Sequence, residues 1–414
     1  MISEKIEQHD VTIFGLPAET GRWFLIPIGS LVLLCLGTVY SWSIFRKPLE
    51  NLLDLSATQS LLPYTAVLFF YSAFVAVAGF YVDRFGTRPI AITGGLLVGV
   101  GYFLASFATD TVTLTLTYGV MAGTGVGTTY GIPMVVSARW FPDRKGLAVG
   151  FTIMGFGLSP LITAPVARFL ISTFDVRQAL LILGIVFGVV VCCLSLFLKL
   201  PPRGWQPQGW TPPIIDRAGT IRPPMLKSKS FYGLWLCYAI GTLVGLSAIG
   251  ISSPVAEEIV ELDSTLAAVS VALFAIFNGL SRPLFGWLTD RFAPRRVAIA
   301  SYVLILIASI LMLNVGEGQV GLYLVAFCIF WLCLGGWLAI APTATLNLFQ
   351  PENYARNYGI VFTAYGVGAL LGTLVAGRIR DLFGSYTYAF YPMAFFAIVG
   401  IIIATFMLKE RRSA

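Results

Sequence analysis

The residue in this chain best suited to chemistry is Arg282, the single charge within the stretch LFAIFNGLSRPLFGWL at residues 273–288. No other charged residue occurs between Asp263 and Asp290. An arginine in the middle of an apolar, membrane-spanning helix costs about 3 kcal/mol on insertion scales, so this residue needs a role that offsets the cost. Its planar guanidinium can donate two parallel hydrogen bonds to a carboxylate. We therefore predict that Arg282 binds the carboxylate of an organic acid.

The neighbours of Arg282 favour a polar patch with room for a ligand. Asn278 lies four residues earlier and therefore on the same helical face, while Pro283 leaves the carbonyl of Gly279 without its usual N–H donor. A buried cation that has no acidic partner in the protein favours the binding of a mobile anion. The acidic residues of the predicted spans lie toward the span ends rather than beside Arg282. They are Asp83, Asp290, Glu257, Glu258 and Asp381. The structural alternative is that Arg282 extends to the membrane surface or pairs with a backbone carbonyl.

The composition places these residues in a membrane protein. The chain has 414 residues, of which 57% are hydrophobic and 11% are charged, whereas soluble domains carry about 25% charged residues. The mean hydropathy is +0.83, and long apolar stretches recur from Trp23 to Leu408. These features predict an all-α membrane protein that crosses the bilayer many times.

Metal and enzyme chemistry are not expected. The six cysteines lie in apolar segments without metal-ligand spacing, and the one histidine, His9, precedes the first apolar segment. We find no metal-binding set and no nucleophile paired with a base, so we expect no cofactor and no enzymatic activity. The first 22 residues are polar with charges of both signs. The first apolar segment is therefore expected to be a retained span rather than a cleaved signal peptide.

Twelve apolar segments are predicted to cross the membrane as helices, six on either side of a basic, proline-rich linker. Their approximate bounds are 23–45, 62–82, 90–109, 112–138, 146–171, 178–199, 231–255, 265–290, 297–314, 319–348, 357–380 and 388–408. The predicted organisation has five parts, namely an N-terminal tail (1–22), a first six-helix bundle (23–200), a linker (201–230), a second six-helix bundle (231–408) and a C-terminal tail (409–414).

The basic residues predict the orientation of the chain. If both termini lie in the cytoplasm, 20 of the 27 lysines and arginines fall on the cytoplasmic side, as the positive-inside rule requires. We expect a monomer in a bacterial inner membrane, with both tails cytoplasmic and the lipid bilayer as its surroundings. Because the basic residues are scattered over many short loops, a nucleic-acid partner is not expected.

Two sequence echoes indicate that the two halves are duplicated. GFYVDRFGTRP at 79–89 ends the second span, and GWLTDRFAPRR at 286–296 ends the eighth, 207 residues later. FTIMGFG in the fifth span is matched by FTAYGVG in the eleventh. Such repeats place the substrate site between the halves, near the bilayer midplane. The same offset matches Arg282 with Val75, so the shared architecture does not require the arginine.

GFYVDRFGTRP resembles the loop signature of the major facilitator superfamily, which occurs between the second and third spans, as here. The resemblance covers essentially the whole chain and implies the fold of that family, with twelve transmembrane helices in two pseudo-symmetric six-helix bundles. In that family the acidic and basic residues of this loop latch helix ends and control switching. The resemblance thus implies gating roles for Asp83, Arg84 and Arg88, and for Asp290 and Arg291 in the second half. The alternative is that these charges only fix the orientation of the loops.

Further motifs resemble the oxalate/formate antiporter branch of the superfamily, which is close to the monocarboxylate transporters. They are YSW (40–42), GVGTTYGI (125–132), RWFPDRKGLAVGF (139–151), FNGLSRPLFG (277–286) and ARNYG (355–359). The resemblance implies a carrier of small organic anions that works by alternating access. It matches Arg282 with the substrate arginine of that branch, and Tyr40 and Tyr130 with residues that line its cavity.

The number of cations decides which anion is expected. The oxalate carriers have a lysine in the eleventh span for the second carboxylate, but here the matching residue is Tyr365. A tyrosine donates a hydrogen bond without neutralising charge, so we predict a monocarboxylate such as lactate, pyruvate or formate. Phe362 of the same span is also expected at the site. Arg378 and Arg380 are alternative second cations. We expect, however, that Asp381 and the membrane interface engage their side chains, which leaves neither free for substrate.

The sequence leaves the coupling open between proton symport and anion exchange. Monocarboxylate transporters that use protons place an aspartate beside the arginine of the eighth span, whereas this chain has Asn278, which does not titrate. Arg46 aligns with the first-span lysine of those transporters and is predicted to act in gating, with interfacial anchoring as the alternative. An oxalate/formate-type dicarboxylate antiporter and a non-transporting carboxylate sensor are the rival functions.

Overall fold

The computed structural model describes residues 11–202, 204–210, 225–349 and 354–408, apart from the side chains of 83, 145, 146, 290, 347 and 354–356. Twelve helical segments, α1 to α12, run through these residues. Their bounds are Ala18–Leu53, Ala57–Phe85, Thr87–Ala105, 111–140, Lys145–Thr173, Val176–Ser195, Lys229–Glu258, Ser264–Arg291, Pro294–Leu313, Val320–Leu348, Tyr354–Phe383 and Phe390–Met407. The predicted all-α architecture of twelve helices is confirmed.

Eleven of the segments within the described residues are each long and apolar enough to cross a membrane. The other is α4, a continuous helical run in which the π-helix Thr115–Ala122 separates two α-helical pieces. Its longer piece, Gly123–Trp140, is rich in glycine and threonine, which lowers its hydropathy below that of the other spans. In α1 a short 3-10 turn, Gly37–Ser41, interrupts the α-helix.

Several helices start before the apolar segments that the sequence marks, whereas α3 and α6 end at Ala105 and Ser195, before the predicted 109 and 199. α2 was expected to start near residue 62 but begins at Ala57, because Ser56 and Gln59 form a capping box that satisfies its first N–H groups. Asp263 caps α8 by accepting hydrogen bonds from backbone N–H groups, and the bonds from Leu266 and Thr265 hold the pKa of this carboxyl below its usual value. Apolar runs therefore locate the embedded part of each helix, while polar caps set its ends.

The two six-helix bundles, α1–α6 and α7–α12, meet along two antiparallel helix pairs, α2 with α11 and α5 with α8. Glycines allow the backbones of each pair to approach closely. A Cβ atom added at Gly377 of α11 would lie 2.8 Å from the Cα of Thr58 in α2, and one added at Gly157 of α5 would lie 3.0 Å from the Cα of Gly279 in α8. Contacts between small residues are a common way for membrane helices to pack.

The first of these pairs separates toward one end of the molecule. Helical residues seven apart lie on nearly the same face, so each contact can be followed two turns further along its helix. Ser72 of α2 contacts Gly366 of α11. Seven residues beyond, at Gly79 and at Gly359, an added Cβ atom would meet no heavy atom of the described chain within 4 Å.

The second pair separates toward the same end. Gly157 and Gly279 are in contact, but an added Cβ atom at Gly150 or Gly286, seven residues further along, meets nothing within 4 Å in the described part of the chain. This open end is where α6 stops and α7 starts, and we call it the linker end. The opposite end, where α2 starts and α11 stops, is called the far end. The space between the bundles therefore opens toward the linker end.

Candidate functional site

Arg282 lies in α8 between the two bundles, at the level where the helix pairs begin to separate. Only 4% of the residue is exposed. Its Nη1 donates to the carbonyl oxygen of Ile153 in α5 at 2.7 Å, so the side chain bridges the bundles. Its Nη2 donates to Oδ1 of Asn278 at 3.3 Å. Nε has no hydrogen-bond partner in the described part of the chain, so one donor of the guanidinium is available to a ligand.

Gly157 of α5 provides the space beside this free donor. A Cβ atom added at Gly157 would lie 3.1 Å from Nε of Arg282 and 2.9 Å from Oδ1 of Asn278. Both distances are shorter than ordinary van der Waals contact, so a side chain here would displace the guanidinium or the amide. Sequence reasoning did not single out Gly157, although it is the last residue of the FTIMGFG echo.

Asn278 holds the guanidinium in place. It is fully buried, and its Nδ2 donates to the carbonyl oxygen of Trp331 in α10 at 3.0 Å. This bond directs the amide oxygen toward Arg282. Trp331 is itself fixed, because its indole N–H donates to the hydroxyl of Ser252 in α7 at 3.1 Å. A chain of hydrogen bonds across α7, α10 and α8 thus orients the arginine.

The charge of Arg282 is not neutralised by the described part of the chain. Ion pairs among the described side chains involve Arg22, Arg46, Lys47 and Arg380, and none of them includes Arg282. Its hydrogen-bond partners include the carbonyl of Ile153 and the amide of Asn278, both neutral. The alternative of pairing with a backbone carbonyl is therefore observed, but the carbonyl belongs to the opposite bundle, and the side chain does not extend to the membrane surface.

Phe156 of α5 is the centre of the aromatic cluster around the arginine. Its ring centroid lies 5.1 Å from that of Tyr40, 5.7 Å from that of Tyr71 and 5.1 Å from that of Tyr130. Cζ of Arg282 lies 5.9 Å from the Phe156 ring, within reach of a cation–π interaction. Sequence reasoning missed Phe156 because its importance depends on packing between helices. The available signal was its place beside Gly157 in the repeated segment.

Tyr40 and Tyr365 connect the bundles through their hydroxyl groups. The two oxygens are 3.1 Å apart, and both residues are fully buried. The ring of Tyr365 stacks on that of Phe362 with centroids 5.2 Å apart, and Tyr71 of α2 contacts both rings edge-on. One hydroxyl of the tyrosine pair donates to the other, so the pair retains a single O–H donor for a ligand.

The six residues predicted to bind substrate therefore lie in one cluster between the bundles. They are Arg282, Asn278, Tyr365, Tyr130, Tyr40 and Phe362, each with at most 4% of its surface exposed. The hydroxyl of Tyr130 also interacts with the guanidinium of Arg282. Three residues that were not predicted, Tyr71, Phe156 and Trp331, complete the walls. The cluster can bind an anion at one point and surround it with aromatic rings.

The charges predicted to latch the loops lie at the linker end, where the bundles are apart. Arg84, Arg88 and Arg291 are exposed, and among the described side chains they form no ion pair. Arg84 and Arg291 lie over the rings of their neighbours Phe85 and Trp287. The remaining two predicted residues belong to helices α2 and α8, but the side chains of Asp83 and Asp290 lie outside the described part of the chain.

Arg46 is buried at the far end, between the bundles, rather than at the membrane surface. It has no exposed area. Its Nη1 donates to the carbonyl oxygen of Gly250 in α7 at 3.2 Å, and its Nη2 donates to the hydroxyl of Tyr386, just before α12, at 2.6 Å. Within its own bundle Arg46 pairs with Glu50 at 3.0 Å. Arg46 thus joins the two bundles at the far end.

Two acidic residues of the second bundle join the first at the far end. Glu258 at the end of α7 pairs with Lys47 at 2.8 Å and with Arg380 at 2.7 Å. The carboxylate of Asp381 accepts hydrogen bonds from the backbone N–H groups of Ala57 and Thr58 at 2.9 and 3.0 Å. Asp381 thereby caps the N-terminus of α2, a favourable position for an anion. The expectation that Asp381 would pair with Arg380 is wrong, because Arg380 forms its ion pair with Glu258.

Two pseudo-symmetric six-helix bundles, with a buried polar site between them, define a membrane protein of the carrier type. The chain belongs to the Major Facilitator Superfamily, which it matches over residues 20–268 and 234–414. It is therefore a multi-pass membrane transporter rather than an enzyme. The predicted membership of this family, and the predicted two-bundle fold, are confirmed.

Individual relatives indicate the branch of the superfamily to which the chain is similar. The chain is 27% identical over 397 residues to the oxalate:formate antiporter of Oxalobacter formigenes, covering 94% of this chain and 92% of the relative. It is 28% identical over 326 residues to monocarboxylate transporter 13 of Bos taurus, covering 77% and 72%. These similarities confirm the predicted relationship to the oxalate/formate and monocarboxylate branch.

Solved structures support the fold at lower sequence identity. A bacterial homologue of the human lysosomal transporter Spinster, in an inward-facing and unoccupied conformation, matches with a TM-score of 0.69 at 17% identity. The match covers 94% of this chain and 96% of that chain.

Proposed function

We propose that the protein carries small monocarboxylates across the membrane by alternating access, with Arg282 binding the substrate carboxylate. The observation that carries the proposal is a guanidinium buried between the bundles, free at Nε, with only neutral hydrogen-bond partners among the described residues. The named relatives, an oxalate:formate antiporter and a monocarboxylate transporter, support an organic anion as substrate.

A carboxylate at Nε would bind beside a contact that already joins the two bundles. Nη1 of Arg282 donates to the carbonyl of Ile153 in the opposite bundle. A carboxylate bound at Nε and a neighbouring Nη would form charge-assisted hydrogen bonds, which are about twice as strong as neutral ones. Binding would therefore change how the two bundles are held together at the arginine. This couples occupancy of the site to the arrangement of the bundles.

A monoanion fits the charge of the site better than a dianion. Arg282 is the only cation among the described residues of the cluster, and Tyr365 is fully buried with its hydroxyl bonded to Tyr40. A second carboxylate would leave an unneutralised charge in a low-dielectric space, at a cost of several kcal/mol. The spare O–H of the tyrosine pair suits the 2-oxo or 2-hydroxy group of a small acid such as pyruvate or lactate.

The structure corresponds to an inward-facing state if the linker end is cytoplasmic, as the basic residues favour. The far end is closed by Arg46, Glu258 and Asp381, which connect the bundles. An outward-facing state would require these contacts to break. In that state the predicted latch residues of the linker end, Arg84 and Arg291 among them, would come together. The proposed location is a bacterial inner membrane.

Coupling is proposed to be either anion exchange or proton symport, and one observation favours exchange. Within the described residues, no carboxylate or histidine belongs to the cluster around Arg282, and Asn278 occupies the neighbouring position. The empty carrier would have to move an unneutralised guanidinium through the membrane, which is unfavourable. A bound anion removes this penalty, so substrate on both sides would accelerate turnover.

A dicarboxylate antiporter of the oxalate:formate type is the second candidate, because the relative of that name matches 94% of this chain. Counterflow by purified protein in proteoliposomes, with lactate, pyruvate, formate and oxalate at two pH values, tests both. The proposal expects counterflow with monocarboxylates and weak competition by oxalate. Faster exchange of oxalate than of every monocarboxylate would support the second candidate. Binding of these acids without any flux would contradict both and support a sensor.

A further inference from the structure

The segment before α1 forms a small hairpin with an apolar tip. Strand β1 (Thr12–Ile13) pairs antiparallel with strand β2 (Leu16–Pro17), with Ile13 opposite Leu16 and Thr12 opposite Pro17. The N–H of Ala18 donates to the carbonyl of Val11 at 2.9 Å and closes the hairpin onto the start of α1. Sequence reasoning treated these residues as part of a polar tail. Their fold gives an ordered projection at the linker end.

The turn of the hairpin holds a phenylalanine in an unusual backbone conformation. Phe14 has φ +57° and Gly15 has φ +75°. The left-handed region suits glycine but is unfavourable for a bulky side chain. Even so, 42% of Phe14 is exposed, and Leu16 beside it is 38% exposed. A strained turn that presents apolar side chains outward indicates that something outside the described chain covers them.

The position of the tip indicates that lipid covers these apolar side chains. The ring of Phe14 lies 6.1 Å from that of Phe24, in the first turns of α1, and 5.5 Å from that of Phe197, just beyond the end of α6. Phe24 is 51% exposed and Phe197 is 45% exposed. Both flank the ends of apolar spans, where the hydrocarbon core gives way to lipid headgroups. The apolar surface of the tip is thus continuous with the lipid-facing surface of α1 and α6.

We propose that the hairpin tip, Phe14 with Leu16, is an interfacial anchor that inserts into the boundary between lipid headgroups and acyl chains. Aromatic and aliphatic side chains at this depth exchange water for lipid without crossing the bilayer. The start of α1, directly after the hairpin, is tied to the linker, because Glu19 accepts a hydrogen bond from the N–H of Gln208 at 2.8 Å. The anchor therefore fixes the start of the linker and the first bundle relative to the membrane surface.

Photochemical crosslinking tests this inference. Phe14 is replaced by the photoreactive p-benzoylphenylalanine in the full chain, which is reconstituted into vesicles of phosphatidylethanolamine and phosphatidylglycerol and irradiated. Mass spectrometry then identifies the adducts. The matched control carries the probe at Thr12, which is also exposed but pairs with Pro17 rather than with Leu16 of the tip. We expect lipid adducts at position 14 to exceed those at position 12 severalfold.

Three outcomes would overturn the inference. They are equal lipid labelling at both positions, a crosslinked dimer as the main product, and an internal crosslink to residues 1–10 as the main product. A second variant separates anchoring from folding. Phe14→Gly relieves the turn and keeps the hairpin, so we expect lipid adducts from a probe at Leu16 to fall severalfold. Unchanged labelling in that variant would show that the phenyl ring contributes nothing to the contact.

Discussion

Arg282→Lys separates the effect of hydrogen-bond geometry on carboxylate binding from the effect of positive charge. Lysine keeps the positive charge but offers a compact ammonium in place of a planar fork. It cannot reproduce the bonds that the guanidinium makes to Ile153 and Asn278 while also holding a carboxylate with two parallel bonds. Losing one hydrogen bond to a charged group costs about 1.5–3 kcal/mol. Each 1.4 kcal/mol is tenfold in affinity, so we expect the half-saturation concentration to rise roughly 10- to 150-fold.

The assay is counterflow in proteoliposomes that contain equal amounts of folded protein. Half-saturation is measured for the monocarboxylate that the unmodified chain exchanges fastest. The matched control is Arg378→Lys, the same chemical change at an exposed position of α11, which should leave transport unchanged. Size-exclusion profiles establish that both variants fold. If Arg282→Lys retained the half-saturation of the unmodified chain, the guanidinium would not be the carboxylate site.

Three further predictions follow from the same contacts. Gly157→Ala places a methyl group 3.1 Å from Nε of Arg282, so counterflow should fall severalfold while the protein still folds. Tyr365→Lys adds a second cation to the cluster, so the inhibition constant of oxalate should fall by roughly tenfold or more. Asp381→Asn removes the negative charge at the N-terminus of α2, worth about 0.3–1 kcal/mol, so far-end opening should increase roughly two- to fivefold. A cysteine replacing the buried Thr65, labelled with an impermeant maleimide, reports this opening.

Each of these predictions has a control within the chain. Gly150→Ala adds a methyl group on the same face of α5, where no described heavy atom lies within 4 Å. Equal losses in both alanine variants would contradict the role of Gly157. Tyr365→Phe removes the hydroxyl without adding charge and should leave oxalate a weak inhibitor. Asp263→Asn removes the charge of a cap within one bundle and keeps its hydrogen-bonding oxygen, so it should not alter labelling at the far end. An effect equal to that of Asp381→Asn would indicate general destabilisation.

Local spacing was enough to predict one contact within the cluster. Arg282 and Asn278 lie four residues apart in one helix, so their shared face follows from helical geometry alone. The observed hydrogen bond between them agrees with this expectation. Tyr40 and Tyr365 are 325 residues apart, and no pattern in either segment predicts their contact. They were proposed through a family resemblance, which carries three-dimensional information that a single sequence lacks.

The residues that were missed depend on packing between helices. Phe156 and Gly157 lie in the repeated segment FTIMGFG, but their contacts with Arg282 form only when α5 lies against α8. The far-end contacts of Glu258 and Asp381 were also not predicted, because their partners lie on helices distant in sequence: Lys47 and the N-terminus of α2 in the other bundle, and Arg380 in the same bundle as Glu258. The sequence placed both acids near span ends, but the partner of a charge at a helix end depends on which helix lies opposite. This explains why Arg380 was assigned to the wrong acid.

The unneutralised guanidinium of Arg282 also has an electrical consequence. An empty carrier that switches between states moves one positive charge through part of the membrane field, and a full crossing of 100 mV corresponds to about 2.3 kcal/mol per charge. A carrier loaded with a monoanion moves no net charge. The resting voltage would therefore hold the empty site on the negative side of the membrane, while exchange of one monoanion for another would proceed at the same rate at any voltage.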